Sequence, residues 1–391
     1  MDIDLLDRDL YAGDPHPAFT WLRANEPIYR DPKGMWALTR HADVVWAERQ
    51  PALFSNAAGS RPNSDPQPSM IDSDDPSHGL QRRLVAKGFT PKQMAAYETH
   101  VRDVARRLVD AIAPLGRADV VTEIAKPLPM TLIGEMLGAP EDDYETLQRW
   151  SDQMITGADG AANVTDEVVN AAFEYYEYAA RVIADRTAQP GDDLVSVLVH
   201  GEVDGERLGH DRVISNALLL LVGGNETTRN VIAGGVDALL RNPAQLAALR
   251  AEPGPSTTGA VEECLRWVTP IVNMNRTTTA DVDVDGKTIP AGSQVLMCYI
   301  SANRDEAVFN HPFRFDIARH PNPHIAFGFG PHFCLGSSLA RLEIKVMLTE
   351  LLTRLPDLHL VDPAATPVYS HSSFVRGIQS LPVEFTPVPV A

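Results

Sequence analysis

The residues best suited to chemistry sit in one decapeptide, FGFGPHFCLG, at positions 327–336. Its cysteine, Cys334, stands just ahead of SSLARLEIKVMLTELLTRL, a run with helical apolar spacing. A sulfur there can be a small buried hydrophobe, a nucleophile or a metal ligand. Zinc needs about four ligands with local Cys/His pairs, and the chain has neither CxxC nor HExxH. Gly328 and Gly330 begin a dinucleotide-like G-x-G, but Phe333 stands where the third glycine belongs. The helix start favours a nucleophilic thiolate, yet no His or Asp is placed as an obvious catalytic partner.

A thiolate ligand to haem iron meets the loop's chemistry better. An anionic sulfur needs backbone N–H donors around it, and glycines let the backbone wrap closely. The helix that follows adds a favourable dipole. Phe327 supplies an aromatic shield against water, which tunes the redox poise of such a site.

Three other constellations carry chemistry. HDRVISNALLLLVGGNETTRNVIAGGVDALLRNP has no proline from 211 to 241, where Asn242-Pro243 stops it. As one helix of roughly 30 residues it is about 45 Å long. Its middle, GGNETT, is polar where both ends are apolar. Either two helices meet in a polar turn, or a helix opens at Gly223-Gly224 and turns Glu226 and Thr227 toward a cavity. In VEECLRWV, Glu263 and Arg266 share a helix face at i, i+3, a spacing usual for a solvated surface pair. In DDPSHGLQRRLVAKGF, Asp75 reads as an N-cap with Pro76 at the first helical position, which puts His78 and Arg82 on one face.

The elements that hold these residues are mainly helical. Apolar spacing at three and four residues dominates from about 78 to 250. Strand-like alternation appears near 34–39, 279–300 and at the C-terminal LPVEFTP. Residues 55–76, with Pro62, Pro66, Pro68 and Pro76, read as a long irregular loop, a feature that in compact domains usually carries function. No linker, repeat or low-complexity tract divides the 391 residues, so one unit over 1–391 is expected. A net charge of −18 speaks against nucleic acid and anionic membranes. The N-terminus MDIDLLDRDL lacks the layout of a secretory signal. The longest apolar run, ALLLLV at 217–222, is too short to span a bilayer. Three scattered cysteines fit a reducing cytoplasm.

The pattern Phe327, Gly328, Gly330, His332, Cys334, Gly336 resembles the cysteine loop of cytochrome P450 enzymes. GGNETT resembles that family's oxygen-activating motif, with Gly223 where Ala is more common, followed by Gly224, Glu226 and Thr227. Glu263 and Arg266 resemble its Glu-x-x-Arg core pair, with Arg319 of FDIAR as third member. His78, Arg82, Arg276 and His332 match positions that hold haem propionates. The resemblance implies a mainly α fold with small flanking β-sheets, and a haem b buried between a long central helix and the helix after the cysteine loop. It implies Cys334 as iron ligand and Glu226 with Thr227 as the proton relay of a monooxygenase using O2. Electrons from a ferredoxin and its reductase are implied, since the chain has no flavin or iron–sulfur motif. Arg83, Lys87, Arg341 and Lys345 would form the docking patch. A cytoplasmic monomer is expected.

A narrower likeness points to substrate. MIDSDDPSHGLQRRLVAKGFT, DDLVSVLVHGEVDGERL, LLLLVGGNETTRN and SFVRGIQSLPVEFTP resemble actinobacterial P450s that hydroxylate the terminal side-chain carbon of cholesterol or cholest-4-en-3-one. The expected pocket walls are the 55–72 loop with Met70, then Val222 and Gly223, the stretch 271–274 with Ile271 and Val272, and Phe374. These are mostly apolar and favour a large hydrophobic ligand. The alternatives are oxidation of another steroid, terpene, fatty acid or secondary metabolite, a haem-thiolate sensor without turnover, and a haem-free helical interaction protein.

Overall fold

The computed structural model describes residues 2–203, 205–252 and 255–389. Helices dominate it, and the strands gather into small sheets of two to five members. The central element is a single helix of 32 residues, His210–Arg241. The glycine doublet neither splits nor opens it. Packing explains why. A Cβ on Gly224 would lie 3.0 Å from Ile133 of the helix Pro127–Leu137. Cβ atoms on Gly234 and Gly235 would meet Val268 at 2.7 Å and Cys264 at 2.8 Å, both on Pro255–Val268. Close approach of three helices thus offsets the cost of about 1 kcal/mol per helical glycine. Every residue from Asn230 to Leu239 is buried, so this half of the helix runs through the main core.

Two long helices owe their starts to threonine. Thr90 accepts the Gln93 N–H ahead of Pro91–Ile112, with proline at its first position. Thr165 accepts the Val168 N–H ahead of Asp166–Ala188, whose first turn carries Asp166 and Glu167. The helix with His78 and Arg82 is Ser77–Ala86, one residue later than the sequence indicates, and the Asp75 carboxylate accepts the Gly79 N–H at 2.9 Å.

The largest sheet runs in the order Ile28–Arg30, Trp36–Leu38, Gln294–Met297, Met274–Thr278, Phe54–Ser55. Only the Trp36–Leu38 pairing with Gln294–Met297 is parallel. Val282–Val284 pairs with Lys287–Ile289 across Asp285-Gly286, both at positive φ, a hairpin turn for which Asp-Gly is a strong sequence signal. A third sheet joins His359–Leu360, Pro382–Glu384 and Arg117–Asp119. The 55–76 loop is irregular but firmly held. The Asp72 carboxylate accepts from the Ser60 and Gln67 N–H groups at 2.8 Å, and Asp74 accepts from Asn56 N–H at 2.9 Å. Its far end is pinned to the central helix by Met70 N–H donating to Asn216 Oδ1 at 3.0 Å.

Candidate active site

The cysteine loop is shaped by two glycines in the left-handed region, Gly328 at φ 68° and Gly330 at φ 69°. Gly330 is doubly required, since a Cβ there would run into the Glu48 carbonyl oxygen. The loop closes through Cys334 N–H donating to the Phe327 carbonyl at 2.9 Å, and the helix Ser337–Arg354 begins just beyond. The half-buried Cys334 sulfur receives the Gly336 N–H. Burial pushes this thiol up, while that N–H and the charges of Arg82 and Arg341 pull it toward the anion. The Arg341 guanidinium lies 4.6 Å over the Phe327 ring, and Phe327 meets Phe333 edge-on at 6.0 Å.

Four nitrogen-bearing side chains expected together are grouped around this loop. The His78 and His332 rings stack at 4.0 Å. Arg82 donates to the Phe333 carbonyl at 2.6 Å and has no carboxylate partner among the described residues. The fourth, Arg276, is held by an acid the sequence did not single out. Buried Glu48 accepts from Arg276 Nη2 at 2.8 Å, from the Tyr299 hydroxyl at 2.5 Å and from the Phe329 N–H. Burial, then Arg276, His78 and Arg82, push His332 down to about 2. Of the four, Arg276 is paired with Glu48 and the two histidines are pushed toward their neutral form, so Arg82 is the charge left to meet an anion, with Arg276 and the ring N–H groups as further donors.

On the central helix, Gly223 is exposed although Leu220 and Leu221 just before it are buried. A Cβ on Gly223 would have no atom within 4 Å. The helix thus presents a bare, open flank at the residue predicted to face a cavity. Thr227 is half-buried one turn on, its hydroxyl donating to the Gly223 carbonyl at 2.9 Å. Glu226 is buried and its Oε2 accepts from Arg229 Nη2. Burial pushes the Glu226 carboxyl well up against the opposing pull of Arg229. It is an acid poised to hold a proton at neutral pH. Because nothing crowds the Gly223 Cβ position, Gly223→Ala should stabilise the helix by about 1 kcal/mol. A higher melting temperature is expected, and a lower one would contradict the open flank.

Glu263 and Arg266 are not a surface pair. Both are fully buried, joined by two hydrogen bonds at 2.7 and 2.8 Å. Arg319 Nε reaches Glu263 Oε2 at 3.1 Å, and Asn322 and the Asp316 N–H donate to the same carboxylate. Arg266 in turn donates to the Asn303 and Pro312 carbonyls at 3.0 and 2.9 Å. Spacing alone had no means of reporting that burial.

The pocket residues divide. Phe374 packs with Ala158 and Val375, and Ile155, Ile271 and Met274 close on this group. Val272 leaves the pocket list: it is fully buried in a separate cluster with Leu5, Tyr11 and Phe19. Adjacent residues of an extended segment face opposite sides, so Ile271 and Val272 cannot both line one wall. The expected basic patch is partly neutralised. Arg341 forms a two-point pair with Glu262 at 2.7 and 3.0 Å, and Lys345 lies 3.8 Å from Glu98. A cavity of about 360 Å³ lined by Asn230, Trp267, Arg304 and Arg376 holds none of the expected site residues. Among the described residues no helix is long and apolar enough to cross a membrane.

Comparison with known proteins fits this arrangement. The chain is 45% identical over 391 residues to a steroid C26-monooxygenase of Mycobacterium tuberculosis, covering 99% of this chain and 98% of the relative. It is 41% identical to a methyl-branched lipid omega-hydroxylase of Mycobacterium bovis, covering 99% and 94%. A solved Mycobacterium marinum cytochrome P450 in complex with pseudoionone superposes with a TM-score of 0.91 at 37% identity, over 98% of both chains. The family model described as cytochrome P450 matches residues 54–356, and the chain belongs to the cytochrome P450 family.

Proposed function

We propose that this chain is a haem-thiolate monooxygenase that hydroxylates the terminal side-chain carbon of a steroid such as cholest-4-en-3-one. The residues present fit the family's haem. Cys334 would hold the iron, its sulfur already served by one N–H and two guanidinium charges. His78, Arg82, Arg276 and His332 would hold the propionates, with Arg82 free of any carboxylate among the described residues. The bare flank at Gly223 would leave room for O2 and substrate. When bound, the haem supplies an iron centre that activates O2 with electrons delivered from outside.

The chain's own contribution is to exclude water, orient substrate and deliver protons. Thr227 offers a hydroxyl at the open flank, and Glu226 beside it is an acid kept protonated by burial. This pair is the observation that carries the enzyme reading over a sensor, which has no use for a buried proton donor beside a hydroxyl. Glu263, Arg266 and Arg319 are assigned to structure, bracing the segment that leads into the cysteine loop. Ferredoxin and its reductase would supply the electrons. The neutralisation of Arg341 and Lys345 weakens docking by charge at those two residues.

The substrate reading rests on the end-to-end likeness to a steroid C26-monooxygenase. The apolar group of Ile155, Ala158, Ile271, Met274 and Phe374 supports it, since a terminal methyl is reached only if apolar walls keep weaker internal C–H bonds away from the reacting centre. The test is a spectral titration with cholest-4-en-3-one, testosterone and lauric acid, followed by turnover with redox partners. Cholest-4-en-3-one should saturate at the lowest concentration and yield a side-chain alcohol with O2 uptake. Tighter binding of lauric acid would redirect the proposal to fatty acids. Spectral shifts with no product from any ligand would favour the sensor.

A further inference from the structure

The environment of Glu226 extends beyond the central helix. Its carboxyl group hydrogen-bonds to that of Asp152 on the helix Tyr144–Thr156. Arg229 spans both acids, with Nη1 donating to Asp152 Oδ1 at 2.8 Å and Nη2 donating to Glu226 Oε2. Lys126, just before Pro127–Leu137, donates to Asp152 Oδ2 at 2.5 Å, and Gln148 donates to Asp152 Oδ1 at 2.9 Å. The charged groups acting on Glu226 are thus Arg229 on its own helix, Asp152 on the second, and Lys126 at the start of the third. Side-chain exposure rises along this series, from 1% at Glu226 through 14% at Arg229 to 31% at Asp152 and 32% at Lys126.

We propose that Asp152 is the solvent-side station of the proton supply, taking a proton from water and handing it to Glu226 across their shared hydrogen bond. The inference rests on the reading that Glu226 serves Thr227. Two carboxyl groups in hydrogen-bond contact resist being ionised together, so the pair shares one proton. Burial drives that proton onto Glu226. Burial also pushes Asp152 upward, but its bond to Glu226, then Arg229 and Lys126, outweigh this and hold it ionised.

The cycle balances with O–H bonds alone. Glu226 gives its proton to the Thr227 hydroxyl as that hydroxyl releases its own toward the reacting oxygen at the open flank, and Glu226 becomes a carboxylate beside a second one. That doubled charge raises the proton affinity of Asp152, which breaks an O–H bond of solvent hydronium and forms its own. The proton then crosses to Glu226, and the resting pair is restored. No electrons move. Arg229 and Lys126 keep the two carboxyl groups together through the step, and are positioning residues.

The test is Asp152→Asn in the haem-loaded enzyme with its redox partners and cholest-4-en-3-one. Asn has the same shape and can still accept from Arg229 through its carbonyl oxygen. Three readouts go beyond a structural role: the infrared band of the protonated buried carboxyl against pH, the solvent deuterium isotope effect, and product formed per electron consumed. The band should titrate at lower pH than in the wild type, because the neighbouring negative charge is gone. The isotope effect should grow, and product per electron should fall about tenfold, less than the roughly 10²–10⁴ of a direct general acid. Unchanged coupling and isotope effect in Asp152→Asn, alongside losses in Glu226→Gln, would overturn the role of Asp152 and leave that of Glu226 standing. Full coupling in Glu226→Gln as well would overturn both.

Discussion

Glu263→Ala is expected to yield protein without haem, destabilised by about 3–5 kcal/mol. The carboxylate removed is fully buried and faces two guanidinium groups, Arg266 and Arg319. Without it those charges stay buried and uncompensated, the costly half of a broken pair. The effect reaches the cofactor through the chain. Glu263 and Arg266 together grip Asn303, Pro312, Asp316, Arg319 and Asn322, the segment that delivers residues 327–336 to their place. A loop whose two glycines already hold left-handed backbone has little tolerance for a shifted approach. Visible absorption and a thermal melt of the purified variant check this directly. A stable variant with a full complement of haem would refute the bracing role.

Thr227→Ala is expected to keep haem and substrate binding but to waste electrons. Removing the hydroxyl leaves the helix intact, since among the described residues the Thr227 side chain bonds just to the Gly223 carbonyl one turn earlier. The defect falls on proton delivery. Reducing equivalents should then appear as hydrogen peroxide, and product per electron should drop by roughly 10²-fold, the lower end for a lost general acid–base group. NADPH consumption, peroxide and hydroxylated product measured together decide it. Full coupling of electrons to product would remove Thr227 from the mechanism.

The parts of the site that were legible in sequence are those whose chemistry is local. The cysteine loop announces itself because Gly328 and Gly330 adopt backbone that other residues avoid, within a few positions of the sulfur they shape. The alternation near 279–300 is legible as strand, while its turn at Asp285-Gly286 came from the structure. The central helix is harder. Gly223-Gly224 reads as a break on propensity alone, and it survives because Gly224 meets Ile133 closely while Gly234 and Gly235 meet Val268 and Cys264. Those contacts come from distant segments and override local preference.

Long-range partners account for the rest. Glu48 lies 228 residues from Arg276, and Asp152 lies 77 from Arg229. Nothing in the spacing of either sequence joins them. Glu262 neutralises Arg341 across 79 residues, which is why a basic patch read along two helices is weaker than its composition. The burial of Glu263 and Arg266 is likewise a property of what surrounds the pair. Ile271 and Val272 differ because the chain is extended there, and alternation sends the second into the other core.

The most direct measurement is the spectrum of Cys334→Ser, reduced and exposed to carbon monoxide, beside the wild type. Iron gripped by an anionic sulfur gives the wild type a strongly red-shifted Soret band, and the serine variant should lose that shift or lose the pigment altogether. An unaltered band in the variant would mean that some other atom holds the iron.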